Sequence, residues 1–137
     1  VGELSLGKLK GGASFTTTIE PMHGTSLVVY ADNKRVVLND KMKDGHALAC
    51  ADFVKQGRDQ IVMGWRNPDD AGETGVKIYV GSDDNGLEWK AFDVDPTIKM
   101  ACEDLTVADL DGDGMLDIIA SGRASKNVVV YWNVTKK

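Results

Sequence analysis

Apolar residues in this chain come in short runs, and helical spacing is absent almost everywhere. "LVVY" (27–30), "IVMGW" (61–65), "VKIYV" (76–80), "IIA" (118–120) and "VVVYW" (128–132) are rich in valine, isoleucine and tyrosine. Those side chains suit a pleated surface, and the turn residues between the runs bound them as short β-strands. In "GSDDNG" (81–86) the Asn85-Gly86 pair predicts a hairpin ahead of "LEWKAFDV", and "ADNK" (31–34) does the same ahead of "RVVLND".

The strand pattern repeats. "ALACADFVKQGRDQIVMGWR" (47–66) aligns without a gap on "DLTVADLDGDGMLDIIASGR" (104–123) at an offset of 57, pairing Leu48 with Leu105, Asp52 with Asp109, Gly57 with Gly114, Ile61 with Ile118 and Arg66 with Arg123. Further on, "GVKIYV" (75–80) matches "NVVVYW" (127–132) at an offset of 52, so the first copy carries five extra residues around "NPDDAGETG". A worn third copy lies upstream, where "TTTIEPMHGTSLVVY" (16–30) resembles "LDIIASGRASKNVVVY" (116–131), with His23 near the place of the arginines. A unit of about 50 residues made of four short antiparallel strands is a propeller blade. The expected fold is therefore all-β, with blade one at 1–44 (degenerate), blade two at 45–98 and blade three at 99–137, its fourth strand missing. Propellers close with roughly four to eight blades. The blades are therefore expected to belong to a homo-oligomer or to the remainder of a longer propeller chain.

Bulk properties narrow the partners. The 137 residues are 42% hydrophobic and 27% charged with a formal net charge of −5, and no basic stripe invites nucleic acid. No run approaches the ~20 apolar residues of a membrane span. The N-terminal "VGELSLGKLK" is not a signal peptide, so export requires a leader outside this sequence. Cys50 and Cys102 make no disulfide framework and no CxxC pair, and are expected to be free, mostly buried thiols.

Much of the acidity is concentrated in short loops. "DLDGDGMLD" (109–117) places Asp109, Asp111 and Asp113 on alternate residues, where carboxylates in a tight turn converge on one point. Ca2+ is the cofactor this pattern calls for, with those three side chains, the Met115 carbonyl and the Asp117 carboxylate as ligands. Gly112 and Gly114 let the backbone turn back. An EF-hand is excluded, because its twelfth position is Ala120 rather than Glu and both flanks read as strands. The corresponding blade-two loop (52–60) keeps Asp52 and Gly57 but has Val54, Gln56 and Gln60 at the other ligand places, so it should bind no calcium. The aspartate loop and its strand setting resemble the FG-GAP/VCBS repeat family, which includes the integrin α-chain propellers. That resemblance implies a calcium hairpin between the first two strands of a blade. Extracellular calcium suits the weak affinities of such loops, so a secreted or periplasmic location is expected.

Strand order places a second group of residues on the opposite rim. His23, Arg66 and Arg123 end second strands, whereas His46, Glu103 and Asp104 precede first strands. His23, His46 and Glu103 are the candidates for acid–base work. Arg66, Arg123, Trp65 and Asp104 are the candidates for ligand contact. Each has a plainer role available: the arginines can pair with neighbouring carboxylates, and Trp65 can pack inside a blade. "IEPMHG", "DGHALACADF", "IVMGWR", "CEDLTVADLDGDG" and "ASGRASKNVVVYWN" are similar to the closing blades of exported VCBS proteins and to the propeller of the fungal aldos-2-ulose dehydratase family. That family eliminates water from keto-sugars with the help of metal ions. Three expectations follow: a calcium-stabilised module that binds carbohydrate or protein on the rim away from the calcium loop, a sugar-active lyase or dehydratase complete only in a full ring, or purely structural blades. No Ser-His-Asp order, phosphate loop or HExxH motif supports a hydrolase or nucleotide enzyme.

Overall fold

A computed structural model describes residues 1–135. Among them there is no helix; eleven strands form three antiparallel sheets, each following chain order. The first sheet runs β1 (Glu3–Lys8), β2 (Ser14–Glu20), β3 (Ser26–Ala31) and β4 (Lys34–Asn39). The second runs β5 (Lys43–Ala51), β6 (Gln60–Asn67), β7 (Gly75–Gly81) and β8 (Trp89–Asp93). The third holds β9 (Cys102–Ala108), β10 (Asp117–Gly122) and β11 (Asn127–Tyr131). Thus the valine-, isoleucine- and tyrosine-rich runs are strands. Asp32 and Asn33, at φ +49° and +56°, make the tight β3–β4 turn.

The β7–β8 connection departs from the two-residue turn that Asn85-Gly86 suggests. Its ends close through Ser82 N–H to the Glu88 carbonyl, and the Asp83 carboxylate accepts from the amides of Gly86, Leu87 and Glu88. A side-chain cap so strong outweighs the local turn preference and holds a longer loop.

The sheets stack face to face, and strand alternation assigns each residue to a seam. Between the first and second sheets, Phe15, Ile19, Leu27 and Val29 meet Ile61, Met63, Trp65 and Tyr79 in one buried cluster. Between the second and third, Ala47, Val62 and Val76 meet Cys102, Ile118, Ala120 and Tyr131. Polar bonds cross both seams: Asn39 Nδ2 donates to the Tyr79 hydroxyl at 2.9 Å, and Asn133 Nδ2 to the Phe53 carbonyl at 2.7 Å. Gly64 lies where a Cβ would run into Cys102 Sγ, so the missing side chain sets how closely those two sheets approach. Both thiols are free. Burial in the seams pushes the Cys50 thiol up to about 11 and that of Cys102 up to about 12.

Candidate functional site

The aspartate loop joins β9 to β10. Asp109, Asp111 and Asp117 each bring a carboxylate oxygen within 4.8 Å of the others, and they are the one such group among the described residues. Backbone amides hold them there. Asp109 accepts from Gly112 N–H and Gly114 N–H, both at 2.8 Å, and the nearly buried Asp117 accepts from Leu110 N–H and Asn133 N–H, both at 2.9 Å. Gly112 and Gly114 take φ of +78° and +86°, the left-handed region where glycine is unstrained. Three carboxylates this close repel unless a cation lies among them, and an all-oxygen donor set suits a hard divalent ion.

Asp113, expected as a fourth carboxylate ligand, stands outside the three-residue group: its Oδ1 accepts from Met115 N–H at 2.7 Å. The Met115 side chain is fully buried, which leaves only its carbonyl as a donor to an ion. Asn133, by contrast, carried no spacing signal. It ties the chain after β11 to Asp117 by its N–H, and to the Phe53 and Leu116 carbonyls by its amide group.

The equivalent loop of the second sheet has the same backbone frame. Asp52 accepts from Gly57 N–H at 2.9 Å as Asp109 does from Gly114, and Lys55 and Gly57 are left-handed at φ +54° and +73°, the places of Gly112 and Gly114. Its centre is filled differently. Gln60, in the place of Asp117, accepts from Val54 N–H and donates from Nε2 to the Arg58 carbonyl at 2.9 Å. Arg58 stands where the third sheet has Met115. A carboxamide thus supplies the N–H that the side chain of an aspartate at 117 lacks when it acts as a carboxylate.

The other ends of these strands carry the second cluster, where all three sheets meet. Arg66, at the end of β6, binds Asp44 through Nε at 2.7 Å and grips both Glu103 oxygens through Nη1 at 3.0 and 2.9 Å. It joins the starts of β5 and β9 across a seam. The Arg66 guanidinium holds the Glu103 carboxyl below the usual range. His46, Glu103 and Asp104 were expected ahead of first strands but lie within them, Glu103 and Asp104 in β9 and His46 in β5 at a register shift between Gly45 and Ala47. Bulges of this kind re-aim a side chain. The His46 ring turns toward the third sheet, with Nδ1 2.8 Å from the Glu103 carbonyl.

His23 reaches the same place from the β2–β3 turn. Its ring centroid is 4.5 Å from that of His46, and its Nδ1 is 3.7 Å from Asp44 Oδ1. Both His23 and Asp44 are left-handed, at φ +51° and +60°. Non-glycine residues there cost about 1–2 kcal/mol each. Asp44 Oδ1 is buried and has no hydrogen-bond partner. Arg123 borders a shallow depression with Asp44, Arg66, Asn67 and Ala124, and among the described residues its guanidinium makes no ion pair.

Two rim candidates are placed elsewhere. Trp65 is 3% exposed in the first seam, and its indole N–H donates to the Glu73 carbonyl, so the ring acts in packing. Asp104 is exposed, and its Oδ1 accepts from the neighbouring Leu105 N–H. The structure therefore draws His23, Asp44, His46, Arg66 and Glu103 into one cluster, with Arg123 at its margin. Asp44 was not among the candidates; β5 begins ahead of it, at Lys43, which brings it beside Arg66. No family model matches the chain, and no curated protein matches it.

Proposed function

We propose that the chain is a group of β-propeller blades of the FG-GAP/VCBS kind that binds a hydroxyl-rich, carbohydrate-type ligand in the depression lined by Asp44, Arg66, Asn67 and Arg123, beside His23. Ca2+ is the ion assigned to the 109–117 loop. When bound, it offsets the mutual repulsion of Asp109, Asp111 and Asp117 and keeps the β9–β10 hairpin closed, a structural task remote from the ligand.

The observation that carries the ligand site is the buried, unpartnered Asp44 Oδ1. A desolvated carboxylate oxygen with no donor costs roughly 1–3 kcal/mol or more, and a ligand hydroxyl relieves it. Arg123 lies beside the same depression with donors to spare, suited to a ring oxygen or a sugar carboxylate. Arg66, by contrast, is engaged with Asp44 and Glu103 and serves to hold the rim in shape.

Calorimetric titration of neutral and uronate-bearing oligosaccharides tests this reading. Binding is expected that falls about tenfold or more in Asp44→Asn, as loss of one charge-assisted hydrogen bond requires. Failure to bind any member of the panel would contradict it. The facing of His23 Nδ1 and Asp44 Oδ1 favours a second reading, in which His23 is the base of a sugar lyase oriented by Asp44. Turnover of a bound keto-sugar that disappears in His23→Ala selects that reading; binding without turnover selects the first.

A further inference from the structure

Asp44 has one carboxylate oxygen engaged and one left over. Its Oδ2 accepts from Arg66 Nε at 2.7 Å and from Asn67 Nδ2 at 3.0 Å, whereas Oδ1 is buried and, among the described residues, accepts from nothing. His23 Nδ1 stands 3.7 Å from that free oxygen, just beyond hydrogen-bond length. Charge-assisted N–H···O contacts close to about 2.7–2.9 Å, so a ring movement of roughly 1 Å completes the bond. The His23 side chain is half exposed, while the turn that carries it is pinned to β5 by Gly45 N–H, which donates to the Gly24 carbonyl at 3.0 Å.

The charge on the imidazole decides whether that bond forms. Neutral imidazole divides its two nitrogens between one donor and one acceptor; imidazolium donates from both and sets a full positive charge against the carboxylate. Histidine is the side chain whose charge ordinarily changes between about pH 5 and pH 8.

The surroundings of the ring hold the change to one proton. From β5, Asp44 favours a charged His23 and His46 opposes it, because two imidazolium rings with centroids 4.5 Å apart repel. His46 has Nδ1 2.8 Å from the Glu103 carbonyl, which only accepts, so Nδ1 carries the hydrogen and Nε2 is bare in the neutral ring. Arg66 on β6 and Arg123 after β10 bring positive charge to this rim, and Glu103 on β9 brings negative charge. Arg66 holds the Glu103 carboxyl below its usual range, so Glu103 stays ionised wherever imidazole titrates. Glu3, on β1, is paired with the seam residue Ile19 and shares its face.

We propose that a proton on His23 gates the depression: imidazolium His23 takes Asp44 Oδ1 for itself, and a ligand hydroxyl gains that oxygen only when the ring is neutral. The gate rests on the carbohydrate reading above; the coupling of His23 to Asp44 does not. Proton and ligand compete for one atom, so each weakens the binding of the other by the same factor. Affinity is therefore highest above the imidazole range and falls as the pH drops through it. From about pH 8 to about pH 5.5, competition with one imidazole proton amounts to about tenfold.

Two measurements on the full chain test the gate. Without ligand, NMR follows the titration of the His23 ring, whose signals are assigned by their loss in His23→Asn, since the chain has two histidines. In Asp44→Asn the midpoint should move to lower pH by about one unit, because the carboxylate that favours imidazolium is gone. An unmoved midpoint overturns the proposal. Calorimetry then uses the neutral oligosaccharides of the panel, whose own charge does not change with pH. Wild type should lose about tenfold in affinity between about pH 8 and about pH 5.5, whereas the affinities of His23→Asn at the two pH values should not differ. Asparagine tolerates the left-handed backbone at φ +51° and carries no titrating proton; circular dichroism verifies that both variants fold. If Asp44→Asn does not fold, the His23→Asn comparison decides alone. An equal loss in wild type and His23→Asn, or no loss in wild type, overturns the gate and leaves the carbohydrate reading standing. A panel that binds at neither pH overturns that reading and the gate with it.

Discussion

Glu103 shows how one side chain serves both a seam and a rim. Its carboxylate is gripped by Arg66 while its backbone carbonyl receives His46, so β9 contacts β5 and β6 through one residue. The folded-state pKa of Glu103 lies below its unfolded value, first because of the Arg66 hydrogen bonds. Its contribution is therefore fully present above an unfolded carboxyl pKa of about 4.3 and is lost as the pH falls below that. Glu103→Gln keeps the shape but gives up the charge, and is expected to destabilise by about 1–2 kcal/mol at pH 7. Melting temperatures of wild type and variant should converge on acidification toward about pH 3, below the unfolded carboxyl range; a gap that stays constant from neutral to acid would show that the ion pair does not stabilise the fold. The residue types at this rim were legible from strand order, because strand ends of one parity share a rim. Their pairing was not. It depends on the bulge at His46 and on the left-handed turn at Asp44, and neither leaves a mark in apolar periodicity.

At the level of elements, the two aspartate-type loops form a natural comparison within one chain. The backbone frame is shared, down to left-handed φ at 55 and 112 and at 57 and 114. Val54 and Gln56 stand in the places of Asp111 and Asp113, and the group at the end of the loop is Gln60 against Asp117. A carboxamide accepts and donates, so the centre of the second-sheet loop holds an N–H; a carboxylate only accepts, so the centre of the third-sheet loop is lined by acceptors. Asp117→Gln should therefore reproduce the second-sheet arrangement. The expected outcome is a protein whose stability no longer responds to calcium, yet which without calcium melts at or above wild type. Melting curves with chelator and with excess calcium decide it, and a variant still stabilised by calcium would count against Asp117 as a ligand. The repeat was readable because twenty residues align without a gap. Spacing reports which side chains can converge, and leaves open which backbone amide each of them also accepts from, as Asp113 does from Met115.

Across the whole molecule, the three sheets form a series whose members are alike but not equal. Each internal seam is apolar and spanned by a few polar bonds, and the cluster at the meeting of the strand ends lies across both. The sheet order follows the chain, so sequence periodicity sufficed to find an all-β chain of antiparallel sheets. The closeness of the seams escaped it, since the absent side chain at Gly64 makes room for Cys102 only once two sheets face each other. Asn133 links the aspartate loop to the second sheet through Phe53, so a cation at Asp109, Asp111 and Asp117 would fasten more than one hairpin. Loss of that cation should accordingly lower the stability of the stack.

The most direct measurement is the melting temperature of the chelated wild-type chain as calcium is added, in parallel with Asp111→Ala. At a calcium concentration about 100 times the dissociation constant, binding to the folded state alone adds about 2.7 kcal/mol, which corresponds to a rise of roughly 5–10 °C for a domain of this size. The wild type should rise by that amount and Asp111→Ala should not. A wild-type melting temperature indifferent to calcium, or an equal rise in both proteins, would contradict a calcium staple in the aspartate loop.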